Sequence, residues 1–208
     1  MIRSGYSSAE KEITLKNRSE KEINIYRIAV TNRHLCRGGF LAQIEKLAKG
    51  TDYDAIVLRE KDLPEEDYHL LAEKVISICR VHRKRCILHQ YWKTAIQLRQ
   101  SRIHLPLPTL EKLENREKAC FSEIGSSVHS IEQARRAEQL GVTYMTAGHI
   151  FSTECKPGLP PKGLDFLREI CHEVSVPVYG IGGITANNEE SVVRAGAKGV
   201  CVMSQSML

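Results

Sequence analysis

VPVYGIGGIT, residues 176–185, is a run of β-branched and apolar residues that ends in a glycine pair and leads into a helical pattern. A second apolar run, KGVCVMS, follows at residues 198–204. Both runs are apolar at odd and at even positions, which is typical of strands covered on both faces. Two such strands separated by a helix predict a parallel βαβ unit.

The same pattern recurs along the rest of the chain. Amphipathic helices are predicted over 64–82, 130–140 and 163–174, where apolar residues follow helical spacing. About eight strands alternating with helices predict a (β/α)8 TIM barrel, and their number favours it over an open doubly wound sheet. In chain order, the predicted strands 1 to 8 are 25–31, 54–60, 85–89, 102–105, a weaker one at 119–127, 142–148, 176–183 and 198–204.

The two ends of the chain differ from this pattern. Leu208 comes directly after the last predicted strand, so the barrel is expected to lack or truncate its final helix. Residues 1–22 carry charges without a periodic apolar face and are interpreted as an N-terminal arm or extension. Residues 23–208 are then predicted to form a single barrel domain.

Composition narrows the class of protein. The chain has 208 residues, of which 42% are hydrophobic and 26% charged, as in globular proteins. No apolar run approaches the length of a membrane span, and no apolar signal core precedes the barrel, so we expect no membrane partner and a cytoplasmic location. Seven scattered cysteines without a C-x-x-C pair predict free thiols and no zinc site.

The net charge of +5 is mild and compatible with a small anionic ligand. The densest basic run lies at residues 80–85, where a helix is predicted to end and cations are favourable. No aromatic platform or reading motif accompanies it, so we predict no nucleic-acid partner.

Candidate phosphate-binding residues follow strands 6, 7 and 8. Functional groups of a TIM barrel gather at the carboxyl ends of the strands. Gly182 and Gly183 end strand 7 and Ser204 ends strand 8, so their backbone amides predict a phosphate cradle, with a plain tight turn as the alternative. Thr153 and Lys156, in the loop after strand 6, are candidates to contact the same anion.

His129 is the candidate for proton transfer. It lies between strand 5 and a helix that Ser130 and Gln133 are predicted to cap. Imidazole can take and return a proton near neutral pH, and a helix N-terminus favours its neutral form. On spacing alone, however, a histidine hydrogen-bonded to loop backbone is the more common explanation.

Five motifs together resemble the thiamine phosphate synthase/TenI superfamily. The resemblance runs from about residue 24 to the C-terminus and implies a (β/α)8 barrel of thiamine biosynthesis. It also implies that Arg59, Lys61 and Ser127 bind substrate. The motifs are IVLREK (56–61), GSSVHSIEQA (125–134), GHIFSTECKPGL (148–159), VPVYGIGGIT (176–185) and AGAKGVCVMS (195–204).

One branch of this superfamily, the synthase, joins a pyrimidine diphosphate to a thiazole phosphate with Mg²⁺. Its second strand resembles Gln-x-Arg-x-Lys, where this chain has Val57 in place of the glutamine. Its third strand carries Asn-Asp, where this chain has His89-Gln90, and residues 104–109 hold no carboxylate for a second metal ligand. Because Mg²⁺ needs such oxygen ligands, we predict no metal site and no cofactor, with Mg²⁺ required only under the synthase interpretation.

The other branch is the TenI-type thiazole tautomerase, which aromatises a thiazoline carboxylate phosphate without a metal. Ser127-Val128-His129-Ser130 and Leu105-Pro106 resemble this branch, which implies that His129 is the acid–base residue. The prediction is therefore an isomerase that binds a small phosphorylated thiazole-type substrate, with a second copy of the chain in a homodimer as a candidate partner. The alternatives are the Mg²⁺-dependent synthase and a non-catalytic or regulatory barrel that binds thiazole phosphate.

Overall fold

Eight parallel strands close into a barrel. The computed structural model describes residues 24–208, in which each strand pairs with the next and the eighth returns to the first. The (β/α)8 prediction is confirmed, and the open doubly wound sheet is excluded. The strands are β1 (Tyr26–Val30), β2 (Ala55–Leu58), β3 (Arg85–His89), β4 (Arg102–Pro106), β5 (Glu123–Val128), β6 (Tyr144–Gly148), β7 (Val178–Ile181) and β8 (Gly199–Val202).

The helices surround this barrel, and the three predicted from periodicity end within one residue of their expected bounds. The last helix has four residues, so the expected shortening of the final helix is confirmed. A 3₁₀ turn at Arg33–Leu35 follows β1. The helices are α1 (Phe40–Lys49), α2 (Glu65–Val81), α3 (Trp92–Gln97), α4 (Leu107–Leu110), α5 (Asn115–Lys118), α6 (Ile131–Gln139), α7 (Gly163–Glu173), α8 (Glu189–Arg194) and α9 (Ser204–Met207).

The apolar core has two parts. A large cluster fills the layer between the strands and the outer helices, including Ile56 and Leu88 from the strands and Val75 from α2. A smaller cluster inside the barrel includes Val57 and Ile87. Strands such as β2 are buried along their whole length because both faces are covered, as their sequence predicts.

Tyr144 on β6 fills part of the barrel interior. Gly125 on the neighbouring β5 makes room for it, because a Cβ atom at this position would overlap the Tyr144 ring. The Tyr144 hydroxyl reaches Nδ1 of His104 on β4 at 3.0 Å. The interior packing thereby positions a histidine beneath the carboxyl ends of the strands.

Two further expectations concern the N-terminal segment and membrane-spanning helices. The predicted N-terminal arm, residues 1–22, lies outside the described residues, and the division into arm and single domain stays a prediction. Within residues 24–208, no helix combines the length and the apolar character needed to cross a membrane.

Candidate functional site

A cavity of about 740 Å³ opens at the carboxyl ends of the strands. It brings together every residue predicted to take part in binding or catalysis, although these residues come from the ends of five different strands and the loops that follow them. Their individual roles stay predictions. The predicted residues that line the cavity are Arg59, Lys61, Ser127, His129, Thr153, Lys156, Gly182, Gly183 and Ser204.

The glycine pair after β7 forms one wall of the cavity. Gly182 and Gly183 have φ angles of 98° and 65°, which side-chain-bearing residues rarely adopt. A Cβ atom on Gly182 would overlap His149, and one on Gly183 would overlap the Ser152 carbonyl oxygen. The pair therefore serves the tight turn that was the alternative prediction, because it lets the β7 loop pack against the β6 loop. Within the described chain, neither glycine amide donates a hydrogen bond, so both can serve a ligand.

The loop after β6 contributes Thr153 and Lys156 to the same wall. The Lys156 amide donates to the Thr153 carbonyl oxygen at 3.1 Å, and the Cys155 amide approaches the Thr153 hydroxyl at 3.3 Å. This turn holds Thr153 and Lys156 close together. The loop also contributes Glu154, the only carboxylate among the described residues that line the cavity.

His129 is held by backbone at the mouth of the barrel. Its Nδ1 lies 2.7 Å from the Gly148 carbonyl oxygen. Because a carbonyl only accepts, Nδ1 carries the proton and Nε2 of the neutral ring keeps its lone pair. Burial lowers the pKa of His129, the bond to Gly148 raises it, and Lys156 is the largest of the neighbouring charges that lower it. The net direction is downward, which favours the basic form.

The start of α6 differs in detail from the predicted capping box. The Ser130 hydroxyl accepts from the Gln133 amide at 3.2 Å, as predicted. The Gln133 side chain, however, accepts from the His129 amide at 2.8 Å and not from that of Ser130. This second bond fixes the backbone of His129 itself.

The opposite wall of the cavity carries cations. Arg59 is half-buried after β2, and Lys61 lies at the exposed rim. Neither side chain makes an ion pair with a residue in the range 24–208. Burial lowers the pKa of Arg59, and burial followed by the charges of Arg59 and Lys156 lowers that of Lys61. The three cations therefore share one electrostatic environment.

The acids closest to this motif do not face the cavity. Glu60 is 2% exposed and accepts from the Thr31 hydroxyl at 2.6 Å and from the Arg33 amide at 3.1 Å. Asp62 pairs with the Arg33 guanidinium, with an Nη1–Oδ1 distance of 2.6 Å. Arg33 therefore engages both carboxylates, and neither lines the cavity.

Two buried histidines form the floor of the cavity, and neither belongs to the site residues predicted from the sequence. His89 and His104 stack with ring centroids 5.7 Å apart and an angle of 12°. Burial, followed by the charges of Lys61 and Arg59, lowers the pKa of His104 to about 3. Burial also lowers the pKa of His89, and its buried Nδ1 has no hydrogen-bond partner in the part of the chain that is described. Both rings are neutral at physiological pH.

A hydrogen-bonded chain runs from the barrel interior to the cavity. The Tyr144 hydroxyl has no described acceptor other than His104 Nδ1, so it donates there, and the Nε2–H of His104 donates to Ser127 Oγ at 2.8 Å. Ser127 Oγ also lies 3.1 Å from the Thr146 hydroxyl. The alternation of side chains along β4 and β5 could have predicted the contact between His104 and Ser127, because it places both side chains on the same side of the sheet.

The comparisons with known proteins agree with this geometry. The family described as "Thiamine monophosphate synthase" matches residues 27–205. The chain belongs to this family. A thiamine-phosphate synthase of Roseiflexus sp. is 34% identical over 181 residues, which cover 84% of this chain and 75% of the relative. A second one, from Coprothermobacter proteolyticus, is 32% identical and covers 91% of this chain and 89% of the relative.

A solved structure is also similar to this chain. Thiamine phosphate pyrophosphorylase from Pyrococcus furiosus superimposes with a TM-score of 0.73 at 25% identity, with 88% of each chain covered. Like the two relatives, it is named for the synthase branch of the superfamily.

The expected thiazole tautomerase activity is wrong by this comparison. It depended on short segments around His129 and Leu105-Pro106, whereas the similarity to thiamine-phosphate synthases extends over most of the chain. The isomerase class is therefore withdrawn, and the similarity favours the alternative interpretation.

Proposed function

We propose that this chain is a transferase of the thiamine-phosphate synthase type. Its substrates would be a pyrimidine diphosphate and a thiazole phosphate. In this reaction the exocyclic carbon of the pyrimidine loses its bond to a diphosphate oxygen and gains a bond to the thiazole nitrogen, and pyrophosphate leaves. The observation that carries the proposal is the similarity to named synthases over 84–91% of this chain.

The two walls of the cavity offer one subsite for each phosphorylated substrate. We assign the thiazole phosphate to the wall of Gly182 and Gly183, whose amides are available and which Ser204 and Thr153 adjoin. The diphosphate is assigned to the wall of Arg59 and Lys61, because guanidinium and ammonium groups bind phosphate oxygens by charge-assisted hydrogen bonds.

Ser127 and His129 lie between these walls along the strand order. In this proposal the Ser127 hydroxyl, which accepts from His104, can direct its own proton toward a developing negative charge on an oxygen. His129, with its Nδ1 proton engaged by Gly148, offers Nε2 as a proton acceptor at the mouth. In both assignments the reacting group, the Ser127 hydroxyl or the His129 ring, is held in place by hydrogen bonds.

The residues of this cavity do not fit the Mg²⁺ ion that the family resemblance implies. Between residues 24 and 208, no group of three or more potential ligands could hold a metal ion. Glu60 and Asp62 are engaged by Arg33, and β3 ends in His89-Gln90 where carboxylate ligands are expected. Mg²⁺ prefers hard oxygen ligands, usually carboxylates, and the histidine nitrogens at the cavity floor do not supply them. No step of the proposed reaction is routed through a metal.

The test is a direct synthase assay with the full chain. The protein is incubated with the thiazole phosphate and the pyrimidine diphosphate, and both thiamine phosphate and pyrophosphate are quantified, with Mg²⁺ in one arm and a chelator in the other. We expect stoichiometric formation of the two products. Arg59→Gln should reduce the rate, whereas Lys74→Gln, on the exposed face of α2, should not.

Absence of product in both arms would overturn the transferase proposal. If the protein then still bound thiazole phosphate, the non-catalytic barrel would become the preferred function. That outcome is measured by calorimetry with the thiazole phosphate alone.

A further inference from the structure

We infer that side-chain cations, in place of a divalent metal ion, neutralise the diphosphate in this chain, and that Arg59, Lys61 and Lys156 form a binding site for a metal-free diphosphate. This inference rests on the proposed function, since it concerns the subsite that the diphosphate would occupy. It departs from the metal dependence that the family resemblance implies.

The first observation is that Arg59 lacks a carboxylate partner in the described part of the chain. Other partly buried arginines have one: Arg27 lies 2.6 Å from Glu189, and Arg33 lies 2.6 Å from Asp62. A partly buried guanidinium without an anion loses hydration that no ion pair replaces. Arg59 lines the cavity, so the missing anion is expected to be the ligand.

The second observation is that further cations converge on the same space. Lys61 and Lys156 come from the ends of different strands, yet both line the cavity with Arg59. Burial lowers the pKa of Lys61, and the charges of Arg59 and Lys156, which line the same cavity, lower it further, so both cations repel Lys61. A multiply charged oxyanion relieves this repulsion and can bridge the three groups. A single exposed Glu154 on the loop does not compensate three positive charges.

The third observation is that the same charges disfavour a divalent cation. A metal ion beside Arg59 and Lys61 would be repelled by both, and the nearest acids, Glu60 and Asp62, are engaged by Arg33. The strand ends that adjoin this wall contribute neutral His89 and His104. His89 also keeps an unpartnered buried Nδ1, as is common where a ligand or water completes the hydrogen bonding.

The experiment measures binding of inorganic pyrophosphate to the full chain by calorimetry, with a chelator in one buffer and excess Mg²⁺ in the other. We expect binding in the chelator buffer, and a several-fold weaker affinity with Mg²⁺, because the metal complex of pyrophosphate carries less negative charge. The affinity should also fall as salt is added, since the attraction is between charges near the surface.

Variants identify the residues. Arg59→Gln and Lys61→Gln should each weaken pyrophosphate binding by about tenfold or more, whereas Arg59→Lys should retain part of the affinity. Lys74→Gln removes one positive charge far from the cavity and should leave the affinity unchanged. If Arg59→Gln failed to fold, Lys61→Gln and Lys156→Gln at the rim would still test the site.

The outcomes separate this inference from the proposed function. Pyrophosphate binding only with Mg²⁺, or no binding in either buffer, would overturn the metal-free site while leaving synthase activity to its own assay. Binding in chelator without any product from the two substrates would overturn the transferase function and leave the anion site in place.

Discussion

The two walls of the cavity are built in different ways. The wall after β6 and β7 is shaped mainly by backbone, namely glycine amides, a carbonyl that holds His129, and loops that pack where Gly182 and Gly183 have no side chain. Thr153 and Lys156 add two side chains from the β6 loop. The wall after β2, β3 and β4 is made of side chains, namely Arg59, Lys61 and the buried histidines. A backbone wall changes only when the loop changes, whereas a side-chain wall changes its chemistry with one substitution. The departures from the synthase motifs, such as Val57 and His89, lie in the side-chain wall.

The largest expected effect comes from His129→Asn, at the residue that lies between the two walls and is held by the Gly148 carbonyl oxygen of the backbone wall. If His129 transfers a proton in the reaction, turnover should fall by about 10²–10⁴ while ligand affinity is retained. The lowered pKa keeps the wild-type ring neutral at pH 7, so wild-type turnover should decline only at pH values below the ordinary range of histidine. Steady-state kinetics from pH 5 to 8 measure both effects.

His172→Asn, on the exposed side of α7, is the control for that variant and should behave as wild type. Wild-type turnover by His129→Asn would show that His129 does not transfer a proton, and the backbone wall would then only help to bind substrate.

The next effect distinguishes close packing from backbone strain. Gly183→Ala should destabilise the protein by roughly 2–4 kcal/mol, because the new Cβ must displace the β6 loop and because φ is positive. Gly141→Ala has a similar φ of 86° but open space around the Cβ, so its cost should be only about 1 kcal/mol. Urea denaturation gives both values, and equal losses would show that the two loops do not depend on this contact.

The side-chain wall predicts a dependence of stability on pH. His104 has a folded pKa of about 3 and an ordinary unfolded value of about 6.5, so the unfolded state binds its proton first as the pH falls. Its contribution is fully present above pH 6.5 and is lost toward pH 3, by at most about 1.4 kcal/mol per pH unit. Urea denaturation between pH 4 and 8 should show this slope, and His104→Gln should flatten it. An unchanged slope in the variant would assign the dependence to other groups.

The smallest effect concerns the chain that supports Ser127. Tyr144→Phe removes the donor to His104 Nδ1 and leaves a buried acceptor without a partner, at a cost of about 1–3 kcal/mol. Tyr179→Phe, also inside the barrel but without a hydroxyl partner among residues 24–208, should cost less than about 0.5 kcal/mol. Nitrogen NMR of His104 adds a second measurement, because the wild-type ring should carry its proton on Nε2. A proton on Nδ1 in the wild-type protein would contradict the direction of the chain.

The wrong tautomerase prediction has a local cause. Short motifs around His129 and Leu105 favoured the tautomerase branch, but a motif of a few residues describes one loop, whereas similarity over most of the chain describes every wall of the cavity. Glu60 and Asp62 follow the Arg59 motif in sequence, yet Arg33 from the preceding loop engages both. Spacing along one segment does not reveal a partner that another segment supplies.

By itself, the sequence determined the barrel and the strand ends that line its mouth. Alternation, helical spacing and turn glycines are local, so β3, α6 and the Gly182-Gly183 turn could be predicted from their own residues. Only the tertiary structure decided which groups meet. His104 and Tyr144 are 40 residues apart and join because Gly125 leaves space between them, and Arg59, Lys61 and Lys156 converge because the closed barrel brings distant strand ends around one cavity. Such contacts depend on ring closure of the whole sheet, which no local pattern contains.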